Sequence, residues 1–226
     1  MFFGPGYFEY MLWVAPALLL ALWAQMRVQT AFHAAARQPA PLTGAAAARH
    51  ILDSAGLNNV AIEAVSGHLS DHYDPRHKVL RLSPAVYQQR TLAAVGIAAH
   101  EAGHALQDAH QYAPLVVRNA AVPVAGFGSN AAFILFFIGL FMQMHVLALA
   151  GVALFGAVVF FQLVNLPVEF NASTRAKNQL VALGIVPSDQ MRYVNKVLNA
   201  AALTYVAGTL QAILTLLYLL SHLNRR

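Results

Sequence analysis

Charged residues fall in blocks along this chain, and three long stretches between them hold no Asp, Glu, Lys or Arg. Residues 10–26, between Glu9 and Arg27, form 17 such positions rich in Leu, Ala and Trp. Residues 119–168, between Arg118 and Glu169, form 50, and residues 197–224, between Lys196 and Arg225, form 28. One helix across ~30 Å of hydrocarbon needs about 20 apolar residues. The first stretch predicts one span if it is counted from Tyr7 to Gln25, with Glu9 near the interface. The second predicts two, 122–142 and 146–166, with Gln143–His145 as the polar break. The third predicts one, 201–221. The first segment begins without positive charge and its apolar run ends without a clear small-x-small site. It therefore reads as a retained span and not as a cleaved signal peptide.

The polar stretches, 26–120 and 167–200, hold what lies outside the bilayer. Gln38-Pro39-Ala40-Pro41 reads as a linker leaving the first span. Gly44–Ala55 reads as a helix stopped by Gly56. Val60–Val65 and Lys78–Ser83 read as strands, joined by a polar loop over Ser66–His77. Ser83-Pro84 opens a short helix, with Ser83 as its cap. A longer helix is expected from about Thr91 to Gln111. Pro167 is expected to start another, ended by Leu183-Gly184, and Ser188 to cap a further one. The layout is thus a first transmembrane helix (1–25), a polar domain (26–120) and a transmembrane hairpin (121–166). A polar helical segment (167–200) and a fourth span with its tail (201–226) follow.

Composition agrees with a membrane protein. The chain of 226 residues is 58% hydrophobic and 10% charged, where soluble domains carry about 25% charged residues. The absence of Cys excludes a disulfide framework, thiolate catalysis and a Cys-ligated metal. The formal charge of +5 is spread along the polar stretches and the C-terminal tail without a Lys/Arg cluster, so nucleic acid is not an expected partner.

One constellation carries chemistry: His100-Glu101-Ala102-Gly103-His104. In a helix, positions i and i+4 lie about 40° apart around the axis and about 6 Å along it, so both imidazoles can reach one ion. Glu101 then sits at the edge of the same face. There it can take a proton from an activated water and pass it to a leaving amine. Two nitrogen donors and no sulfur point to zinc.

Three stretches, in order, resemble the YugP-type neutral zinc metallopeptidases of bacterial membranes. They are Ala98–Gln107 (AAHEAGHALQ), Gly67–Pro75 (GHLSDHYDP) followed by Lys78–Ser83 (KVLRLS), and Leu166–Ala176 (LPVEFNASTRA). The four-span layout is similar as well. The resemblance implies a membrane-embedded, zinc-dependent peptidase with a gluzincin-like HExxH helix. The chain is also similar to HtpX-type membrane proteases, in which a carboxylate from a later helix completes the zinc site. The fold class that follows is a mainly α membrane protein, with four transmembrane helices and a small α+β zinc-peptidase domain.

A catalytic zinc takes three protein ligands and keeps one position open. His110 has the spacing of a third histidine ligand, but that pattern breaks the helix with a glycine where this chain has Gln107. If the helix continues, His110 lies about 9 Å beyond His104 along the axis. Glu169, 65 residues after His104, begins a polar helix leaving the third span on the same side, and is favoured. Glu9 belongs at the far end of the first span and Glu63 in a strand. The resemblance also points to Glu169, and its family commonly shows Asp where this chain has Asn171. That amide can still accept a bond from a ligand imidazole. Arg175 could neutralise the Glu169 helix, polarise a substrate carbonyl, or simply sit at the surface. The loop His68–Asp74 could supply an oxyanion donor (His72 or Tyr73) or a second metal site, or it is a turn of self-bonded Asp side chains. By analogy with similar peptidases, Lys78–Ser83 could be an edge strand that pairs with extended substrate.

The expected function is a membrane-anchored zinc endopeptidase with one zinc per chain, held by His100, His104 and Glu169, and with Glu101 as base and acid. Its expected partners are the lipid bilayer and a protein or peptide substrate. Two other readings are an intramembrane protease, since residues 91–107 hold only one charge, and a zinc-stabilised scaffold without turnover. Against the first, the chain has no Asp-Gly pair of the kind that supplies the third ligand in such proteases. The zinc helix and Glu169 must share one face of the membrane. That face carries 12 basic residues against Arg225 and Arg226 on the other, which predicts a cytoplasmic catalytic face in a bacterial inner membrane.

Overall fold

A computed structural model describes residues 5–67 and 70–223. The elements run α1 (Pro5–Ala36), α2 (Gly44–Ser54), β1 (Ala61–Ala64), β2 (His72–Asp74), β3 (Val79–Leu82), α3 (Pro84–Gln88), α4 (Leu92–Ala109), α5 (Ala113–Phe141), α6 (His145–Ala182) and α7 (Met191–Leu223). Among the described residues, α1, α5, α6 and α7 are long and apolar enough to cross a membrane. The protein is a mainly α membrane protein with a small α+β part.

The chain divides into two units. The first comprises Met1–Ala24, Val116–Pro167 and Leu203–Arg226. Phe136, Val152, Phe155 and Leu219 centre its apolar cluster. Phe127, Phe141 and Val146 stand exposed, as befits faces turned to lipid. The turn between α5 and α6 falls at the expected polar break.

The second unit comprises Gln25–Leu115 and Val168–Ala202. Its core joins Ile51 and Leu52 of α2, Leu80 and Leu82 of β3, Val95, Ala98 and Ala102 of α4, and Leu180 of α6. The sheet order is β1-β3-β2, with β1 parallel and β2 antiparallel to β3. The side chains of Thr43 and Thr91 cap α2 and α4 by accepting from the amides of Ala46 and Ala94.

Several expectations need correction. The polar loop between the expected strands contains a third strand, β2. It pairs Tyr73 with Leu80 and makes Lys78–Ser83 the centre of the sheet instead of an edge. The Ser83 hydroxyl does not cap α3; it donates to the Asp71 carboxylate. α1 continues past the first span to Ala36. Pro167 does not restart a helix but lies inside α6. A proline costs about 3 kcal/mol in a helix interior. Val168, Ala172, Ala176 and Leu180, four residues apart and all fully buried, hold the helix together beyond it. α6 ends as expected, with Gly184 in the left-handed region at φ 63. Ser188 lies in the turn before α7, which then runs unbroken from Met191 through the expected fourth span. His68 and Leu69 of the polar loop, and Asn224, Arg225 and Arg226 of the tail, lie outside the described residues.

Candidate metal centre

α4 is an alanine-rich helix buried along most of its length, and it runs on through Gln107 to Ala109. His110 is its C-cap, and the imidazole Nδ1 donates to the Leu106 carbonyl at 2.6 Å. The helix break that a third histidine ligand requires is therefore absent.

What α4 meets is α6, and Gly103 sets how closely. A Cβ at that position would lie 2.5 Å from the Ala172 carbonyl oxygen and 3.3 Å from its Cα. Only a residue without a side chain lets the two backbones approach to this distance. The approach carries Glu169, one turn before Ser173 and next to buried Val168, against both histidines of α4. Nε2 of His100 lies 3.2 Å from Oε2 of Glu169, and Nε2 of His104 lies 3.7 Å from the same atom.

These three residues could hold a metal ion, since one donor atom from each lies within 4.8 Å of the others. The spacing suits zinc. Tetrahedral ligands at about 2.0–2.1 Å from an ion stand about 3.3–3.4 Å apart. The chemistry suits it too, because both Nδ1 atoms are engaged elsewhere and leave both Nε2 atoms facing the carboxylate. His100 Nδ1 is 3.1 Å from the Ser173 hydroxyl, and His104 Nδ1 is 3.0 Å from Gln107 Oε1. Ligand histidines are ordinarily oriented by such bonds.

Ser173 and Gln107 were not singled out from the sequence, although spacing could have found them. Ser173 is four residues after Glu169 and Gln107 three after His104, both on the ligand face of their helices. Asn171, expected to accept from a ligand imidazole, instead accepts from Gln107 Nε2 at 3.0 Å and from Arg175 Nε at 2.7 Å. Arg175 lies over the Tyr112 ring, 5.9 Å from its centroid.

Glu101, beside His100, is buried. Burial pushes its carboxyl up to about 7, the His100 imidazole opposes the rise, and Glu169 adds to it. A carboxylate with that affinity is suited to taking and returning a proton near neutral pH. Charges on the polar loop bear on this carboxyl as well, Asp71 adding to the rise and His72 opposing it. His72 is exposed, with Nδ1 donating to the Ser70 carbonyl at 2.8 Å. The Tyr73 hydroxyl is committed to Asp108 on α4 at 2.8 Å, and burial together with that carboxylate raises its pKa. Asp74 is taken up by His77 and Arg81. Among the described residues this loop forms no second metal cluster. Glu63 pairs with Arg81 and Glu9 with His222, so neither joins the centre.

A family model described as "Putative neutral zinc metallopeptidase" matches residues 10–224. A protein of Bacillus subtilis (strain 168), described as "Putative membrane protease YugP", is 46% identical over 213 residues. The match covers 93% of this chain and 95% of that protein. No solved structure matches the chain.

Proposed function

The chain belongs to the family of putative neutral zinc metallopeptidases, and from that membership we propose a membrane-anchored endopeptidase that binds one zinc ion through His100, His104 and Glu169. The observation that carries this reading is the convergence of two imidazole nitrogens and one carboxylate oxygen within 4.8 Å, with the buried carboxyl of Glu101 beside them. Zinc, when bound, supplies a Lewis acid that acidifies water and polarises a carbonyl.

Glu101 takes the proton that water gives up and returns it to the leaving amine. Its raised proton affinity fits both halves of that task. Glu169 places its negative charge between two imidazoles, and Ser173 and Gln107 keep those imidazoles aimed at it. His72, exposed on the polar loop whose charges bear on Glu101, is assigned to the substrate carbonyl as charge develops there. α4 is not among the candidate membrane spans, which favours cleavage of chains outside the bilayer over intramembrane proteolysis. The excess of Lys and Arg in 26–120 and 167–200 supports a cytoplasmic catalytic face in a bacterial plasma membrane.

The experiment is hydrolysis of an unfolded soluble protein such as casein by the purified chain and two variants. Glu101→Gln is expected to keep its metal and lose cleavage. His72→Ala is expected to lower kcat by about 10²–10³ with KM little changed. Full activity in Glu101→Gln would end the reading of a Glu-assisted peptidase. An unchanged kcat in His72→Ala would remove that residue's role.

A further inference from the structure

One buried side chain at the centre has a hydrogen-bond pattern that fixes more than its own position. Gln107 is fully buried. Its Nε2 donates to the Val168 carbonyl at 2.8 Å and to Asn171 Oδ1 at 3.0 Å. Its Oε1 faces His104 Nδ1 at 3.0 Å. Asn171 Oδ1 receives a second bond, from Arg175 Nε at 2.7 Å.

A guanidinium can only donate and a backbone carbonyl can only accept, whereas an amide side chain can present either end. Arg175 therefore obliges Asn171 to present its oxygen. That oxygen and the Val168 carbonyl oblige Gln107 to present its nitrogen on their side. The Gln107 oxygen is then left for His104, where it can only accept. We propose that Arg175, Asn171 and Gln107 form a relay of fixed polarity, with Gln107 as the positioning residue that keeps the proton of His104 on Nδ1 and so leaves the Nε2 lone pair for a metal. The Glu169 carboxylate would draw a proton to Nε2, but at 3.7 Å it is outside hydrogen-bond reach, and Gln107 at 3.0 Å is within it. The relay carries no net charge into the buried site except at Arg175, its half-buried end. Its purpose rests on the zinc reading above; its polarity does not.

The test uses the full-length protein with 15N-labelled histidine, metal-free, at about pH 9, above the ordinary histidine range. The His104 signals are assigned by their loss in His104→Asn. Wild type is expected to carry the proton on Nδ1. Gln107→Leu fills the space without an acceptor and is expected to give a mixture of tautomers and a zinc Kd raised about 10–100-fold. Gln107→Glu keeps an acceptor towards His104 but loses both donated bonds. It is expected to restore the Nδ1–H form and zinc affinity to near the wild-type values, which a merely space-filling or helix-tying role would not allow. Arg175→Met, at a partly exposed position, is expected to keep the Nδ1–H form, because the Val168 carbonyl still takes the Gln107 nitrogen; the wild-type tautomer decides the proposal even if Gln107→Leu fails to fold. Nε2–H in wild type, or Gln107→Glu no better than Gln107→Leu, would overturn the proposal. Failure of wild type to bind zinc would defeat the peptidase reading and leave the tautomer measurement to decide this one.

Discussion

Gly103→Ala separates two effects that act in opposite directions. In a helix interior, alanine is favoured over glycine by about 1 kcal/mol, so propensity alone predicts a more stable protein. The contact with α6 predicts the reverse at the metal centre. The new Cβ would lie 2.5 Å from the Ala172 carbonyl oxygen, whereas close C···O contacts start at about 3.3 Å. The obstacle is backbone and cannot rotate away. α4 and α6 must separate locally by about 0.8 Å, or the core must take up about 1–3 kcal/mol of strain. Metal sites tolerate about 0.2 Å in ligand distance. A shift of that size draws Glu169 off the two imidazoles, and zinc affinity should fall at least about 10-fold. Competition with a chromophoric chelator measures the affinity, and thermal melting of the metal-free protein reports the packing. An alanine variant that melts higher and binds zinc as tightly as wild type would refute the close-approach argument.

Asp74 is held below the usual carboxylate range by bonds from His77 and Arg81. Its contribution to stability is therefore present above the unfolded value of about 3.9 and is lost as pH falls from there towards the lowered folded value. Asp74→Asn should accordingly shrink the drop in melting temperature between about pH 6 and pH 3, and an unchanged drop would remove Asp74 from the acid response. For topology, the cysteine-free chain allows single-cysteine labelling in intact cells with a reagent that cannot cross the inner membrane. Asn224→Cys should label and Arg76→Cys should stay protected until the cells are broken; labelling of Arg76→Cys alone would put the catalytic face outside the cytoplasm.

The parts of this molecule that could be read from sequence are those whose cause is local. The spans follow from charge-free length and the end of α6 from Gly184. The pairing of His100 with His104 follows from helix pitch alone. What escaped has its cause elsewhere in the fold. β2 has three residues and no apolar run, and it exists because β3 offers it an edge. Pro167 is a breaker by every local rule, yet α6 continues past it, with four fully buried side chains on the next turns. Asn171 meets Arg175 one turn further along α6, as spacing allows, but it faces Gln107 because of how α6 is rotated against α4, which spacing within one helix cannot give. In the sequence, Gln107 draws notice only as the position where a His110 ligand would need a glycine. Its position three residues from His104 carried the more useful information.

In the proposed site the metal is held between α4 and the start of the polar part of α6. Zinc per chain, measured by atomic emission on purified wild type, Glu169→Ala and His110→Ala, tests it most directly. About one zinc is expected in wild type and in His110→Ala, and close to none in Glu169→Ala. A full complement of zinc in Glu169→Ala, with loss in His110→Ala, would contradict it and would mean that α4 turns after Gln107 when the metal binds.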